Sequence, residues 1–206
     1  MLDELLAHPG VVERCVLRGP VGFMAFHGGS LERMTDVIAT EAAERSGSSL
    51  YVVAQPEDFR LHVPSRSFLA EHSRALAAFL DHVVDVVSVH GFGRAGLFTT
   101  LLLGGQGRAV AADLAGPLAD ALPDYDVVDD LDGIPIELRG LHPDNPVNRV
   151  RGGGVQLELP PRVRGLGPHW DDHPDRDLHR RALVDALVTF AALRADGRTG
   201  RSDTLS

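Results

Sequence analysis

Three residues of this sequence, His27, Glu32 and His90, carry the side chains that a zinc site with three protein ligands uses. Such a site leaves one metal position open, where a bound water becomes a nucleophile at neutral pH. The spacing differs from the helical HExxH motif, because Glu32 follows His27 by five residues and His90 comes far downstream. The residue types therefore indicate metal-assisted hydrolysis, provided that the fold brings the three side chains together.

The segment around His27 also fits a structure without a metal. An apolar run at 21–26 is typical of a buried parallel strand, and apolar residues recur at helical spacing over 31–47. A glycine pair between them permits a tight turn. In that arrangement Glu32 could serve only to complement the positive end of the helix dipole. This stretch taken alone leaves both interpretations open.

His90 repeats the same pattern further along the chain. It follows the apolar run 85–89 and precedes Gly91, just as His27 follows 21–26. In open α/β sheets, ligands bind outside the carboxyl ends of the strands. Two histidines at such strand ends are therefore expected to lie at the same edge of one sheet, which favours the metal interpretation.

Glu158 is the candidate proton acceptor. It lies in the alternating segment 155–159, where Gln156 and Glu158 point to one face and the apolar residues to the other. A carboxylate in that position belongs either to an exposed edge strand or to a polar site, and the pattern fits both. Beside a metal, Glu158 would be placed to take a proton from bound water. Arg149 and Arg94 are the candidates for stabilising the oxyanion that such an attack produces.

Arginine and asparagine side chains near these segments could hold an acidic substrate. Asn148 and Arg149 lie in the loop that leads into the segment just described. A guanidinium binds a carboxylate through two parallel hydrogen bonds, and a neighbouring amide adds donors. Arg60, His62 and Arg66 share another polar loop and invite the same interpretation. The alternative is a solvated rim of charges that compensates nearby acids.

The elements that must position these residues alternate between strand and helix. This alternation predicts an α/β fold with a mainly parallel central sheet covered by helices on both faces. The expected strands are 21–26, 50–54, 85–89, 97–103 and 155–159, and the expected helices are 31–47, 68–82, 108–122 and 177–193. A length of 206 residues and a hydrophobic content of 44% suit one domain. We expect it to cover 1–195, with a disordered polar tail at 196–206.

The composition limits which partners the protein can bind and in which cellular compartment it is expected. A formal net charge of −9 argues against nonspecific binding of nucleic acid, which needs a basic surface. No apolar stretch approaches the roughly 20 residues of a membrane span, and the start of the chain lacks the features of a secretory signal. We therefore expect a cytoplasmic protein without a membrane partner. The lone Cys15 excludes a disulfide within the chain and a zinc site built from cysteines.

A second group of histidines, His169, His173 and His179, stands near the C terminus. With the tryptophan and acids beside it, this group has the composition of a metal cluster. A mobile polar loop is the simpler prediction for the segment.

Five segments in order resemble the successive motifs of the phage-type poly-γ-glutamate hydrolase family, over roughly residues 20–165. They are HGGSLERMT, LHVPSRSF, SVHGF, LLLGG and PDNPVNRVRGGGVQLEL. The family is similar in fold to the zinc carboxypeptidases, which implies a compact α/β domain with a mixed central sheet and one bound zinc ion. Ser67 stands where the family motif has a histidine, so the role of that histidine is absent or replaced here.

The resemblance implies cleavage of γ-glutamyl amide bonds, in poly-γ-glutamate or a related acidic substrate. Carried over by motif, His27, Glu32 and His90 are the zinc ligands. The resemblance likewise implies that Glu158 is the general acid and base. The pair Asn148–Arg149 resembles the carboxylate-recognition pair of zinc carboxypeptidases, although it stands in a different order relative to the catalytic glutamate.

Two alternatives remain at the level of sequence. The same metal machinery would serve a hydrolase of a small N-acyl amino acid or of a cell-wall peptide. A degenerate protein could instead keep the fold and bind an acidic polymer through its arginines without catalysis. The complete set of His27, Glu32, His90 and Glu158 argues against degeneracy. A metal analysis separates the classes, because a binding protein has no need of stoichiometric zinc.

Overall fold

Strands and helices alternate along the chain, as the hydrophobic pattern predicts. A computed structural model describes residues 1–167 and 175–202. The strands are β1 (Val12–Val16), β2 (Val21–Gly29), β3 (Ser49–Gln55), β4 (Asp85–Gly91), β5 (Thr100–Gly104), β6 (Asp126–Val128) and β7 (Gly154–Leu159). The helices are α1 (Leu2–Ala7), α2 (Thr35–Ser46), α3 (Arg74–His82), α4 (Arg108–Ala121) and α5 (Arg176–Ser202).

The strands form one sheet of seven strands in the order β1-β3-β2-β4-β7-β5-β6. At the centre, β2 runs parallel to β3 and β4, and β4 runs parallel to β7. Strand β5 is parallel to β6 and antiparallel to β7, while β1 is antiparallel to β3. The predicted class, a mixed and mainly parallel sheet flanked by helices, is confirmed. Because β2, β4 and β7 run in the same direction, their carboxyl ends lie at one edge of the sheet.

Apolar side chains cover both faces of the sheet. On one face, Phe23 and Ala25 of β2 belong to a core that includes residues of α2, α4 and α5. On the other face, Met24 and Phe26 belong to a core that includes residues of α1 and α3. Strands buried on both faces need nearly continuous apolar sequence, which makes them recognisable before the fold is known. Among the helices of the described residues, none combines the length and the apolar character needed to cross a membrane.

Helix α2 begins later than its periodicity predicts, at Thr35 rather than at 31. The preceding residues form a turn in which the N–H of Glu32 donates to the carbonyl of His27 at 2.7 Å. The hydroxyl of Thr35 donates to the carbonyl of Glu32 at 2.8 Å. Met34 adopts a left-handed conformation with φ of 75°, which residues other than glycine rarely take. Glu32 therefore belongs to a tight turn and not to the first turn of the helix.

The end of the described chain also differs from the prediction. Helix α5 continues to Ser202, so the described part of the tail expected from 196 onward is helical. Arg194 anchors the helix to the sheet, because its Nε donates to Oδ2 of the buried Asp85 at 2.9 Å and its NH1 donates to Asp113 on α4. The segment 196–206 is polar and contains two glycines, which is typical of a disordered tail. The contacts of Arg194, just before this segment, cannot be recognised from its composition.

Candidate active site

The predicted metal ligands and the predicted proton acceptor meet at the carboxyl edge of the sheet. His27 and His90 lie near the ends of β2 and β4, and Glu158 lies near the end of β7. Glu32 approaches the two histidines from the turn after β2. His27, Glu32 and His90 each offer one ligand atom within 4.8 Å of the other two. Both histidines and Glu158 are buried, so these groups converge inside the protein.

A β-bulge in β2 directs His27 into the site. Ala25 pairs with Val52 of β3 and Gly28 pairs with Ala54, so β2 contains one more residue than its partner over this stretch. Simple alternation would place His27 on the same face as Ala25. The extra residue turns the ring to the opposite face, where it contacts an aromatic ring of the second core. Bulges commonly re-aim a side chain beside an active site in this way.

Each histidine ring turns Nδ1 toward Glu32 and is held by a hydrogen bond at its other nitrogen, Nε2. Nε2 of His27 donates to the carbonyl of Val63 at 2.8 Å, and Nε2 of His90 bonds to the hydroxyl of Ser88 at 3.0 Å. Since a carbonyl can only accept, a neutral His27 ring carries a lone pair on Nδ1. That nitrogen faces Oε1 of Glu32 at 2.7 Å. Two acceptors approach this closely only with a proton or a metal ion to share.

Glu32 joins the two rings. Its Oε2 lies 3.5 Å from Nδ1 of His90 and accepts a hydrogen bond from the N–H of Gly91 at 2.9 Å. Burial opposes ionisation of Glu32, but the charge of His90 and the hydrogen bond with His27 outweigh it and hold the pKa of the carboxyl well below its usual range. Burial also disfavours a charged His90, yet Glu32 raises the pKa of that ring. The carboxylate is therefore ionised at neutral pH, as a metal ligand must be.

This donor set fits zinc. Two imidazoles and one carboxylate are the protein ligands of one class of catalytic zinc site, in which the fourth position stays open for water. Metal-binding histidines typically bond through their second ring nitrogen to a neighbouring oxygen, as His27 and His90 do. His27, Glu32 and His90 could therefore hold a metal ion without rearrangement of their side chains.

Glu158 stands beside these groups on a central strand. It is the direct partner of His90 in the pairing of β4 and β7 and is 4% exposed, so the alternative of a solvated edge strand is wrong. Nε2 of Gln156 donates to Oε1 of Glu158 at 2.8 Å, and Nδ2 of Asn145 donates to Oε1 of Gln156 at 2.8 Å. Burial raises the pKa of Glu158; the charge of His90 opposes this rise and that of Glu32 reinforces it. A raised pKa suits a group that accepts a proton and later returns it.

A cavity of about 270 Å³ opens onto the site. Its lining includes His62, Arg66 and His142 in addition to the groups described above. The rings of His62 and His27 lie 5.0 Å apart between their centroids. Burial and the neighbouring His27 lower the pKa of His62, which favours a neutral ring there. The carboxylates of Glu32 and Glu158 are therefore accessible to a substrate through a cavity with an arginine in its wall.

The sequence pattern of the family described as poly-gamma-glutamate hydrolase matches residues 4–167 of this chain. The chain belongs to this family. The matched region contains every strand of the sheet and each of the converging residues, from His27 to Glu158. The resemblance inferred from the motifs is therefore confirmed, and the family together with the fold indicates a hydrolase of amide bonds.

Solved structures have the same fold. A bacteriophage poly-gamma-glutamate hydrolase is 22% identical, with a TM-score of 0.65 over 91% of this chain and 92% of its own. The zinc-free form of YNDL is 24% identical, with a TM-score of 0.67 over 86% of this chain and 89% of its own. A metallo-carboxypeptidase from Pseudomonas aeruginosa is 15% identical, with a TM-score of 0.54 over 94% of this chain and 67% of its own. The expected carboxypeptidase-like fold is confirmed. No curated protein matches the sequence.

The residues predicted from two polar loops to bind substrate differ in their placement. His62 lines the cavity, as does its loop neighbour Arg66. Arg60 is exposed and lies outside the cavity lining. Arg94 is also outside the lining, and its guanidinium donates to Glu137 at the cavity wall. Within this family member, the geometry thus brings His62 to the site and leaves Arg60 and Arg94 at its periphery.

Asn148 and Arg149 do not reach the cavity. Oδ1 of Asn148 accepts from the N–H of Gln106 at 2.8 Å, and its Nδ2 donates to the carbonyls of Gly140 and His142 at 2.8 and 2.9 Å. Arg149 is exposed and lies 3.8 Å from an aspartate of its own loop. The geometry does not support the roles predicted for this pair. Asn148 instead bonds to other parts of the loop. Its closeness to Glu158 in sequence does not determine where its side chain points.

Ser67, where the sequence resemblance leads us to expect a histidine, lies next to the cavity. Ser67 ends the 3-10 turn Ser65–Ser67, and the other two residues of the turn both line the cavity. Arg66 therefore brings a positive charge to the cavity beside the position where the sequence resemblance leads us to expect an imidazole.

The histidine group near the C terminus falls mostly outside the described residues. His169 and His173 lie in the segment that the structure does not describe. Nδ1 of His179 and the hydroxyl of Tyr125 share a hydrogen bond of 2.6 Å. His179 is thus bonded to a residue of the first core, and it is absent from the lining of the cavity at the candidate site.

Sequence reasoning missed two contributors to the site. Asn145 is buried and begins the hydrogen-bonded chain that leads through Gln156 to Glu158. His142 lines the cavity from the same loop. In the sequence, Gln156 and Glu158 were expected to share one face of a strand, which indicated a polar site. That pattern did not show which loop residues would contact them.

Proposed function

We propose that this protein is a zinc-dependent amidohydrolase that cleaves γ-glutamyl amide bonds in an acidic polymer such as poly-γ-glutamate. The main support is the arrangement of His27 and His90 around Glu32, with the buried Glu158 on the neighbouring strand. The family match supports the substrate class. A protein that only binds a polymer does not need a buried set of metal ligands beside a proton acceptor, so this arrangement favours catalysis.

We assign one zinc ion per chain to His27, Glu32 and His90. When bound, zinc lowers the pKa of a coordinated water to about 7 and polarises the carbonyl of the substrate. The chain contributes the orientation of the ligands, because Val63 and Ser88 hold the outer nitrogens of the two rings. Preorientation of this kind reduces the cost of assembling the site around the ion.

Glu158 acts as the general base and then as the general acid. Its carboxylate accepts the proton of the attacking water and returns it to the amide nitrogen that leaves. Burial raises the pKa of Glu158 and makes it a stronger base than an exposed glutamate. The hydrogen bond from Gln156 fixes the orientation of the carboxylate.

Arg66 is proposed to bind a carboxylate of the substrate at the cavity wall. Its guanidinium can bond to both oxygens of a carboxylate, and it lines the cavity that opens onto the zinc ligands. Arg94, in contrast, is already paired with Glu137. Because the whole chain has a net charge of −9, attraction of a polyanion has to come from local groups of this kind. His62 and His142 add hydrogen-bonding groups to the same cavity.

The test is to incubate the zinc-loaded protein in parallel with a γ-linked glutamate polymer, an α-linked glutamate polymer and an N-acyl glutamate. Chain length and released fragments are followed in each reaction. We expect cleavage of the γ-linked polymer alone, loss of cleavage with a chelator and recovery with added zinc. Turnover of the N-acyl glutamate alone would indicate a hydrolase of small substrates. Binding of the γ-linked polymer without cleavage would indicate a degenerate binding protein.

A further inference from the structure

A buried arginine behind the site, Arg164, connects the strand ends that carry the active groups. It lies in the 3-10 turn Arg162–Arg164 after β7 and is 7% exposed. NH1 donates to the carbonyl of Arg33 at 2.9 Å, NH2 to that of Phe92 at 3.2 Å and Nε to that of Pro160 at 3.4 Å. Each edge of the guanidinium is therefore bonded to a different segment.

These three carbonyls belong to the connections that leave β2, β4 and β7. Arg33 lies in the turn that holds Glu32, Phe92 follows the last residue of β4, and Pro160 follows the last residue of β7. The same strands carry the metal ligands and the proton acceptor. A planar fork with donors in fixed directions sets the relative positions of its acceptors in a way that a flexible ammonium cannot.

Arg164 also packs against the peptide that holds Glu32. A Cβ atom at Gly91 would lie 2.6 Å from NH1 of Arg164, so the guanidinium rests directly on this glycine. The N–H of Gly91 in turn donates to Oε2 of Glu32 at 2.9 Å. Arg164 therefore contacts Gly91, and the backbone amide of Gly91 in turn binds the carboxylate of Glu32.

The charge of Arg164 complements the acids of the site. Burial lowers the pKa of its guanidinium, while the charges of Glu32 and Glu158 oppose that shift. A buried cation is costly unless it is fully bonded and close to negative charge. Each of the three guanidinium nitrogens of Arg164 donates a hydrogen bond, and Glu32 and Glu158 supply the nearby negative charge.

We propose that Arg164 is a positioning residue that holds the ends of β2, β4 and β7 in the arrangement required for zinc binding. The inference rests on the proposed zinc site and concerns residues that do not themselves contact the ion. Partners of this outer kind typically change metal affinity by roughly 10–100-fold when they are removed.

The test compares zinc dissociation constants, measured by competition with a chelator, for the parent, Arg164→Lys, Arg164→Ala and Arg194→Ala. Arg194 is the matched control, since it bonds to Asp85 at the start of β4, the end away from His90. We expect Arg164→Lys and Arg164→Ala to bind zinc about 10–100-fold more weakly, and Arg194→Ala to bind it like the parent. Thermal unfolding of the metal-free proteins, recorded alongside, gives the general loss of stability in each variant.

Two results would overturn this role for Arg164. One is parental zinc affinity in Arg164→Lys, which would mean that a positive charge suffices and the fork positions nothing. The other is an equal loss of affinity in Arg194→Ala, which would attribute the effect to destabilisation. If Arg164→Ala does not fold, Arg164→Lys decides the question. A parent protein that binds no zinc would contradict the proposed zinc site itself, which separates that failure from the failure of the positioning role.

Discussion

His90 and Glu158 are direct partners on the neighbouring parallel strands β4 and β7. Residues paired in this way point to the same face of the sheet, so a proposed metal ligand and the proposed proton acceptor lie side by side. Both side chains are buried on central strands of the sheet. Since the backbone at these positions is held on both sides, substitution there should change the chemistry while leaving the fold intact.

Replacing Glu158 by glutamine separates proton transfer from metal binding. Glu158→Gln should keep zinc, because the amide preserves the shape of the side chain and the ligands are unchanged. The amide cannot accept the proton of the attacking water, so kcat should fall by about 10²–10⁴-fold. Zinc stoichiometry and kcat are measured on the same preparation. Full activity in this variant would remove Glu158 from the mechanism.

The corresponding change at Glu32 should have a different outcome. Glu32→Gln replaces a proposed ligand by a weak one and removes the negative charge that faces both histidines. Zinc and activity should therefore be lost together, and excess zinc should restore part of the activity. Glutamine at both positions is the same chemical change, which makes the two variants controls for each other. Zinc retained in Glu32→Gln and lost in Glu158→Gln would mean that the roles of ligand and base are exchanged.

Removal of either histidine ligand should release the metal without unfolding the protein. His27→Ala and His90→Ala each leave the two apolar cores in place, unlike the situation in a zinc finger, which depends on its metal to fold. We expect most of the bound zinc to disappear and the far-UV circular dichroism to remain. His72→Ala, a change at an exposed histidine paired with Asp3, is the control and should bind zinc normally. Parental metal content in both ligand variants would show that the ligand set is wrong.

The sequence was sufficient to predict the frame of the site. Long apolar runs marked β2 and β4 because both strands are buried on both faces, and the histidines that end them could be assigned to one edge of a parallel sheet. The short strand β6 escaped prediction within its acidic connector, since three residues carry too little pattern. Helix α5 extended past the predicted boundary for the same reason, because its last turns contain few apolar residues.

The details that make the site work could not be read from periodicity. The bulge before Gly28 moves His27 to the face of the sheet opposite to the one that simple alternation predicts. No residue type in this stretch indicates the bulge. The bond from Asn145 to Gln156 and the exclusion of Arg149 from the cavity both depend on the path of an irregular loop. Loop paths are set by tertiary contacts, which the sequence does not show. Arg149 was predicted to bind substrate because it is close to Glu158 in sequence, but the arginine that lines the cavity is Arg66.

Gln156 should affect proton transfer through Glu158. Gln156→Leu removes the donor to Oε1 of Glu158 and leaves the amide of Asn145 without one of its acceptors. The hydrogen bond from Gln156 lowers the pKa of Glu158, so its loss raises that pKa further. Because the base must be ionised, the acid limb of kcat/KM should move to higher pH while zinc content stays unchanged. A lower melting temperature with an unshifted pH profile would indicate a purely structural role for Gln156.

Substrate attraction should depend on Arg66 and not on Arg149. Arg66→Ala removes a guanidinium from the cavity wall, and loss of a charge-assisted hydrogen bond to a carboxylate should raise KM about 10-fold or more with a smaller change in kcat. Arg149→Ala removes the same charge from an exposed loop outside the cavity, which makes it the matched control. Its KM should stay within about twofold of the parent, since Arg149 lies outside the cavity that is proposed to receive the substrate.

Ionic strength provides an independent check on the same residue. In the parent protein, KM for the γ-linked polymer should rise with salt, because the local attraction is screened over about 8–10 Å. In Arg66→Ala this salt dependence should be weaker, since the charge responsible for part of it is gone, whereas Arg149→Ala should retain the parental slope. A parental KM that does not respond to salt would argue for a small neutral substrate. A raised KM in Arg149→Ala alone would restore the role first inferred for the Asn148–Arg149 pair.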